Sequence, residues 1–298
     1  MLVCEHVRKA YGDLVAVDDL SFKVQKGEIF GLLGENGAGK TTTFRMIMGL
    51  LNPDQGTILL DDKPIDYQMV ESIGFVTEER SLLTKLSVKE MIEYYGVLKG
   101  LTPQQCEEKL DYWLDRFAIK DYKYKKIKEL SKGNQQKIQF ISAIINDPKL
   151  LILDEPFTGL DPINVGMMKD AVRTLQKNGC AIIFSSHQME YIEDFCEHLV
   201  ILVKGHAVVN GKLEDIKKDY AKQNIIIKGE DIVVKELEQI EGVLSVVKKH
   251  NEYEVVIADE KVTPLVFNYV KNKKITKYVL KDASLNEIFI HYVGGQYE

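Results

Sequence analysis

The chain opens with two strand-like stretches, LVCEHVRKAYG and LVAVDDLSFKV. The second alternates apolar and polar residues at the period of two that a half-buried strand requires. KGEIFGLLGENGAGKTTTFRMIMGL then runs apolar, glycine-rich and helix-periodic in turn. TILLDD and ESIGFVT predict further short strands, and the stretch from about Ser87 to Asp147 is mostly helical, with few β-branched runs. PKLLILDEP predicts a buried strand between two prolines. A helix over about 162–178, the strand AIIFSS, a helix from about 188 and the strand HLVILVKG follow. Strands alternating with helices predict a parallel sheet with helices on both faces. Near residue 221 lysine and glutamate become denser and the elements shorten. NIIIKG, VVKELEQI, VLSVVKK, YEVVIA, VTPLVFNYVK and KITKYVL give the order β-α-β-β-α-β of a split-βαβ sandwich, closed by a helix in SLNEIFIHYV. The predicted organisation is an α/β domain over 1–220, with a helical insert at about 87–147, and a small α+β domain over 221–298.

Charge and composition narrow the classes. The chain has 298 residues, with 45 acidic and 39 basic side chains, for a formal net charge of −6. A mildly acidic protein does not bind DNA through bulk charge, so no nucleic-acid partner is expected. The longest apolar runs, such as LVILV at 199–203, fall far short of the ~20 residues that span a bilayer. The N-terminal residues carry charge where a signal peptide needs an apolar core. Cys4, Cys106, Cys180 and Cys196 are scattered without a C-x-x-C pair, which fits neither a zinc site nor a disulfide framework. These features predict a soluble, cytoplasmic chain.

GENGAGKT, Gly34 to Thr41, matches G-x-x-x-x-G-K-[ST] between a predicted strand and a predicted helix. Its glycines let the backbone wrap an anion with N–H groups pointing inward, and the helix adds its positive end. Gly34, Glu35, Asn36, Gly37, Ala38, Gly39, Lys40, Thr41 and Thr42 are the candidate phosphate-binding residues. Lys40 would reach the β- and γ-phosphates, and the Thr41 hydroxyl would bind Mg²⁺. A metal and a water need a second, acidic element. LLILDE, 150–155, is an apolar strand ending in two carboxylates. Asp154 falls at the carboxyl end of that strand, where sheet ligands bind, and would hold Mg²⁺. Glu155 beside it is placed as a general base or a water-orienting group would be.

ELSKGNQQKIQF, 129–140, resembles the signature of the ATP-binding-cassette family, LSGGQ followed by glutamines, at Leu130, Ser131, Gly133, Gln135 and Gln136. Other residues fall in the family's order over about 1–220. The resemblance implies a P-loop NTPase (RecA-like) core with an N-terminal antiparallel β subdomain. It implies that Tyr11 stacks on adenine, that Asp161 in GLD touches the opposite subunit, and that His187 in SSH senses the γ-phosphate. It further implies that Ser131 and Gly133 complete a partner subunit's site, with two ATPs sandwiched between two subunits. Taken alone, Tyr11 reads as packing, His187 as a satisfied buried histidine, and Asp161 as a helix N-cap before Pro162. Lys132 and Asn134 depart from the signature. Glu78 stands where the family usually has glutamine. Glutamine donates and accepts whereas ionised glutamate only accepts, so Glu78 is left to bind Mg²⁺ or water.

The tail resembles that of sodium-exporter-like and drug-exporter-like ATPases. The implied function is an ATPase subunit that dimerises, as a homodimer, around two Mg-ATP. It would drive a separately encoded permease, in an exporter, from the inner face of the membrane. The segment at about 79–95 is expected to contact that permease. A non-transport ATPase of the same superfamily, acting on the ribosome or DNA, is the competing class. Ribosomal members usually carry two cassettes and this chain has one. DNA-acting members insert long coiled coils, whereas Lys40 and Ser131 lie 91 positions apart (131 − 40) without sustained heptads.

Overall fold

In the computed structural model, which describes residues 1–220, 223–281 and 283–294, the chain divides into two compact units, Met1–Gly211 and Lys212–Glu298. The change of character near residue 221 lies outside the described residues.

In the first unit, β1 (Leu2–Tyr11) and β2 (Leu14–Val24) form an antiparallel pair, with Leu2 opposite Val24 and Tyr11 opposite Leu14. Leu2, Val7, Val17, Leu20 and Val24 are buried in the core, and bulges in the pairing, with positive φ at His6 and Asp19, shift the period of two between them. The chain then runs through β3 (Ile29–Gly34), α1 (Lys40–Ile47), β4 (Gln55–Leu60), β5 (Lys63–Pro64) and β6 (Ile73–Val76). The helical segment holds α2 (Val88–Leu98), α3 (Pro103–Arg116) and α4 (Lys132–Ile144). After it come β7 (Leu150–Asp154), α5 (Pro162–Lys177), β8 (Ala181–Ser185), α6 (Met189–Phe195), β9 (His198–Val203) and β10 (His206–Lys212). The strands join in one ten-stranded sheet, ordered β5-β4-β1-β2-β10-β9-β3-β8-β7-β6. Its β9-β3-β8-β7-β6 portion is parallel throughout, whereas β1, β2, β4 and β5 pair antiparallel.

Two details differ from the pattern-based expectation. Glu71 and Ser72, placed in a strand by the pattern, belong to a 3₁₀ turn ahead of β6. β10 is an additional strand. Lys204 and Gly205 both have positive φ, so they turn the chain back after β9 as a two-residue hairpin does. Gly211 and the exposed His206 and Ala207 had masked the strand's alternation.

The helical segment has its own core. Ser87 and Thr102 cap α2 and α3 through reciprocal bonds with Glu90 and Gln105. Trp113, Phe117 and Phe140 pack with ring centroids 6.0 to 6.4 Å apart, joining α3 to α4. The four cysteines are free and buried, and burial pushes the Cys180 thiol up to about 12.

The second unit contains α7 (Leu213–Asp219), β11 (Gln223–Gly229), α8 (Val234–Glu238), β12 (Val243–Lys249), β13 (Glu252–Ile257), α9 (Thr263–Val270), β14 (Ile275–Lys281) and α10 (Leu285–Gly294). Its sheet is ordered β12-β13-β11-β14, and every pair is antiparallel. Ile225 lies opposite both Val255 and Leu280, and Val246 continues the row, so one sheet face is apolar. Leu237 of α8 and Val266 and Val270 of α9 bury that face.

Lys99, at the end of α2, carries a measurable consequence. Its amine donates to Ala143 O and Asn146 Oδ1, each at 3.2 Å, and so caps the carboxyl end of α4. Burial lowers its pKa from 10.5 to about 8. The unfolded chain therefore binds more protons between pH 8 and 10.5, and stability rises with pH across that window. Below the window the cost of burying the charge is present in full. Lys99→Met keeps the methylene stem without the charge. It is expected to flatten the stability–pH curve there by up to roughly 3 kcal/mol, read by urea unfolding at both ends of the window. An unchanged slope would mean that the amine is hydrated in the fold.

Candidate nucleotide site

Four neighbouring parallel strands, β3, β8, β7 and β6, end at one edge of the sheet. Gly31 pairs with Phe184, Asp154 with Ser185, and Val76 with Leu153. Leu32, Leu33, Leu150 to Leu153 and Ile182 to Phe184 are fully buried, so the strand ends have fixed positions. Four functional segments leave this edge: the glycine-rich loop, Ser185–His187, Asp154–Glu155 and Thr77–Glu78. This is where ligands bind in open α/β sheets.

The loop after β3 is held by backbone on both sides. Gly34 has φ +153° and Gly39 has φ +109°. A Cβ on Gly34 would stand 2.6 Å from Leu202 O, and one on Gly39 would stand 2.4 Å from Ala16 O. Ala38 N donates to Glu35 O at 3.1 Å, and Gly205 N donates to Ala38 O at 3.1 Å. The Thr43 hydroxyl closes the first turn of α1 on Gly39 O at 3.0 Å. Backbone on both sides thus fixes the shape of the loop and the place where α1 starts.

Lys40 Nζ folds back over the loop, donating to Gly34 O at 2.6 Å and Glu35 O at 3.1 Å. Burial lowers its pKa, against the opposing pull of Asp154, Glu155, Glu78 and Glu35. Desolvation raises the pKa of Asp154, partly offset by a 2.5 Å hydrogen bond from Ser185 Oγ and by Lys40. Asp154, half-buried, and Glu78 both act on Lys40, and with the Thr41 hydroxyl at the start of α1 they offer an all-oxygen donor set that fits a hard divalent cation. No cluster of three His, Cys, Asp or Glu side chains suited to a metal occurs among the described residues.

Glu155 takes a left-handed conformation, φ +50°, uncommon for a residue with a side chain. Its Oε1 accepts from His187 N at 2.6 Å and lies 3.0 Å from His187 Nδ1, while Oε2 accepts from Ser186 Oγ at 3.2 Å. The Glu155 side chain is 11% exposed and the His187 ring 66% exposed.

The remaining sequence candidates fall into two further groups. Ser131 caps α4, accepting from Asn134 N at 3.3 Å. A Cβ on Gly133 would meet Asn164 Nδ2 at 3.4 Å and Leu160 Cδ2 at 3.5 Å, so this helix start lies against the loop that leads into α5. Asp161 caps α5, accepting from Asn164 N at 3.0 Å, with Pro162 at the first helical position. That bond lowers the Asp161 pKa. The hydrogen bonds of Ser131 and Asp161 run to Asn134 and Asn164, whereas those of Lys40 stay on its own loop. Tyr11 is exposed at the β1–β2 hairpin, whose second strand meets Gly39 through Ala16 and Val17. Pattern analysis missed Ser185 and Ser186, which orient the two carboxylates. Their one signal is their place in the string SSH.

Comparison with known proteins gives a consistent result. The profile of a family described as ABC transporter matches residues 17–158, and one described as ATP-binding protein DrrA1-3-like, C-terminal domain, matches 211–293. The chain is 46% identical over 299 residues to the uncharacterized ABC transporter ATP-binding protein YhaQ of Bacillus subtilis (strain 168), covering 100% of both. It is 31% identical to the Nod factor export ATP-binding protein I of Cupriavidus metallidurans, over 99% of this chain and 98% of that one. A solved ATP binding subunit of an ABC transporter is similar with a TM-score of 0.70 and 29% identity, covering 74% of this chain and 93% of its own.

Gly39→Ala combines a left-handed conformation with the collision at Ala16 O. It is expected to weaken binding of a fluorescent ATP analogue at least ~10-fold and to lower stability by roughly 1–3 kcal/mol. Parental affinity and melting temperature would mean that the loop relaxes freely.

Proposed function

The chain belongs to the ABC transporter ATP-binding family, and on that premise we propose that two copies enclose two Mg-ATP and drive a separately encoded membrane permease in the direction of export. The protein is an ATPase coupled to transport. The observation that carries the proposal is the convergence of Lys40 with Asp154, Glu155 and Glu78 at the ends of neighbouring strands. The near full-length likeness to a protein named for Nod factor export supports the direction. No helix among the described residues is long and apolar enough to cross a membrane. The bilayer path would therefore belong to the permease, whose contact holds this subunit at the cytoplasmic face.

The residues divide the work as follows. The loop amides and the start of α1 take the phosphates, and Tyr11 stacks on the adenine. Lys40 exchanges its two loop carbonyls for the β- and γ-phosphate oxygens and stabilises charge as the bond to the leaving oxygen breaks. Thr41, Asp154 and Glu78 would hold Mg²⁺, which when bound neutralises phosphate charge. Glu155 accepts a hydrogen bond from the attacking water and so aims it at the γ-phosphorus. His187 donates to Glu155 through its backbone N, and its exposed ring reaches the γ-phosphate. Ser131, Gly133 and Asp161 serve the site of the second copy. Each ATP then binds the closed dimer more tightly than the open one, and hydrolysis releases it.

Glu155→Gln keeps the size of the side chain but removes the carboxylate. It is expected to cut steady-state hydrolysis by about 10²–10⁴-fold while ATP binding persists in a stable dimer. Hydrolysis at the parental rate would remove Glu155 from the chemistry. Lys40→Ala is expected to weaken nucleotide binding instead. Purified in mild detergent from its native cells, the tagged chain is expected to bring down a polytopic membrane protein in near-stoichiometric amount, crosslinked through residues 79–95. Ribosomal proteins or nucleic acid in its place would overturn the transport assignment and leave the ATPase site standing.

A further inference from the structure

Gln139 is a buried carboxamide on α4, 4% exposed, between Ile138 and Phe140. Its Nε2 donates to Thr77 O at 3.1 Å and Thr77 Oγ1 at 3.0 Å, and lies 3.4 Å from Glu79 O. Backbone carbonyls only accept, so the partners themselves dictate that the amide's NH₂ faces the turn. Its Oε1 has no hydrogen-bond partner among the described residues. A leucine of similar volume would fill this helix position without burying an unpaired acceptor. Packing alone therefore gives no reason for a glutamine here.

The reason lies in what the side chain holds. Thr77 to Glu79 follow β6 directly, and Thr77 Oγ1 bonds Glu79 O, closing the backbone around Glu78 into a turn. The Glu78 charge acts on Lys40. From Gln139, α4 runs back to its Ser131 cap, roughly 12 Å away at 1.5 Å per residue. On the way Gln136 Nε2 donates to Pro156 O at 3.3 Å, next to Glu155.

We propose that Gln139 is a positioning residue. It fastens the Thr77–Glu79 turn to α4, so that the Glu78 carboxylate and the Ser131 end of the helix are set as one rigid piece against the nucleotide and its cation. The proposal rests on the role given above to Glu78. It makes the glutamate workable where the family has glutamine: an acceptor-only side chain cannot anchor itself to the phosphates or to Glu155, so its backbone is anchored from behind.

The test uses the full chain with Mn²⁺ as a paramagnetic probe and a non-hydrolysable ATP analogue. Cation affinity is then read by electron paramagnetic resonance without turnover. Gln139→Leu is expected to weaken Mn²⁺ affinity roughly 10-fold, the size usual for losing a group that orients a metal ligand. Glu78→Ala is expected to weaken it at least as much, and the double variant no further than Glu78→Ala alone. Thr77→Val removes one acceptor from a half-buried position. It is expected to move the affinity the same way by a smaller factor, and it carries the test if Gln139→Leu does not fold. A loss in Glu78→Ala with none in the other two variants overturns the role of Gln139 alone. No loss in Glu78→Ala overturns the role of Glu78 and this proposal together. Fully additive losses in the double variant place the action of Gln139 elsewhere and overturn the proposal as well.

Discussion

One ammonium group stands among four carboxylates at the end of strands that are otherwise apolar. Lys40 feels Asp154, Glu155, Glu78 and Glu35 at once, and burial works against its own charge. The sheet imposes this arrangement. β3, β7 and β8 gain stability by burying leucine, isoleucine and phenylalanine, and charge is tolerated only where they stop. Because the strands are parallel and neighbours, they stop together. The site is thus an electrostatically unfinished edge, with a loop rich in N–H donors and an excess of negative charge beside it. A polyphosphate with its cation supplies both the missing acceptors and the missing positive charge.

The contacts of Glu155 follow from the same constraint. Its carboxylate is buried at the mouth of the sheet, so it must find donors, and it finds them in the 186–187 turn. The group suited to orient water is therefore physically joined to the group suited to sense phosphate. Any pull on His187 reaches Glu155 through a backbone N–H rather than through a flexible side chain. The left-handed backbone at Glu155 aims the carboxylate into this turn and away from solvent.

How much of this was legible in the sequence depended on distance along the chain. The phosphate loop, the LLILDE strand end and the Asp161–Pro162 helix start are local. Each could be read because a few consecutive residues determine the backbone there. The β-α-β-β-α-β order of the second unit could be read for the same reason, since its strands are short β-branched runs set apart by polar and glycine-containing turns. The partnerships were not legible. Ser185 meets Asp154 across 31 positions, and Gln139 meets Thr77 across 62. A serine in a strand or a glutamine in a helix gives no local sign of what it will touch. The buried Lys99 and Lys137 were equally hidden, because their stems pack like methionine and only the fold shows which carbonyls receive the amines.

The buried thiols have a consequence of their own. Cys4 lies in β1, Cys106 in α3, Cys180 ahead of β8 and Cys196 ahead of β9, so sheet and helical segment alike carry one inside. Burial raises the pKa of all four, and the thiolate is the form that reacts. The native first unit is therefore chemically silent toward alkylating reagents, and the second unit contains no cysteine at all. Each thiol becomes a clock for the breathing of its own neighbourhood. The rate at which it is labelled measures how often that part of the first unit opens to water.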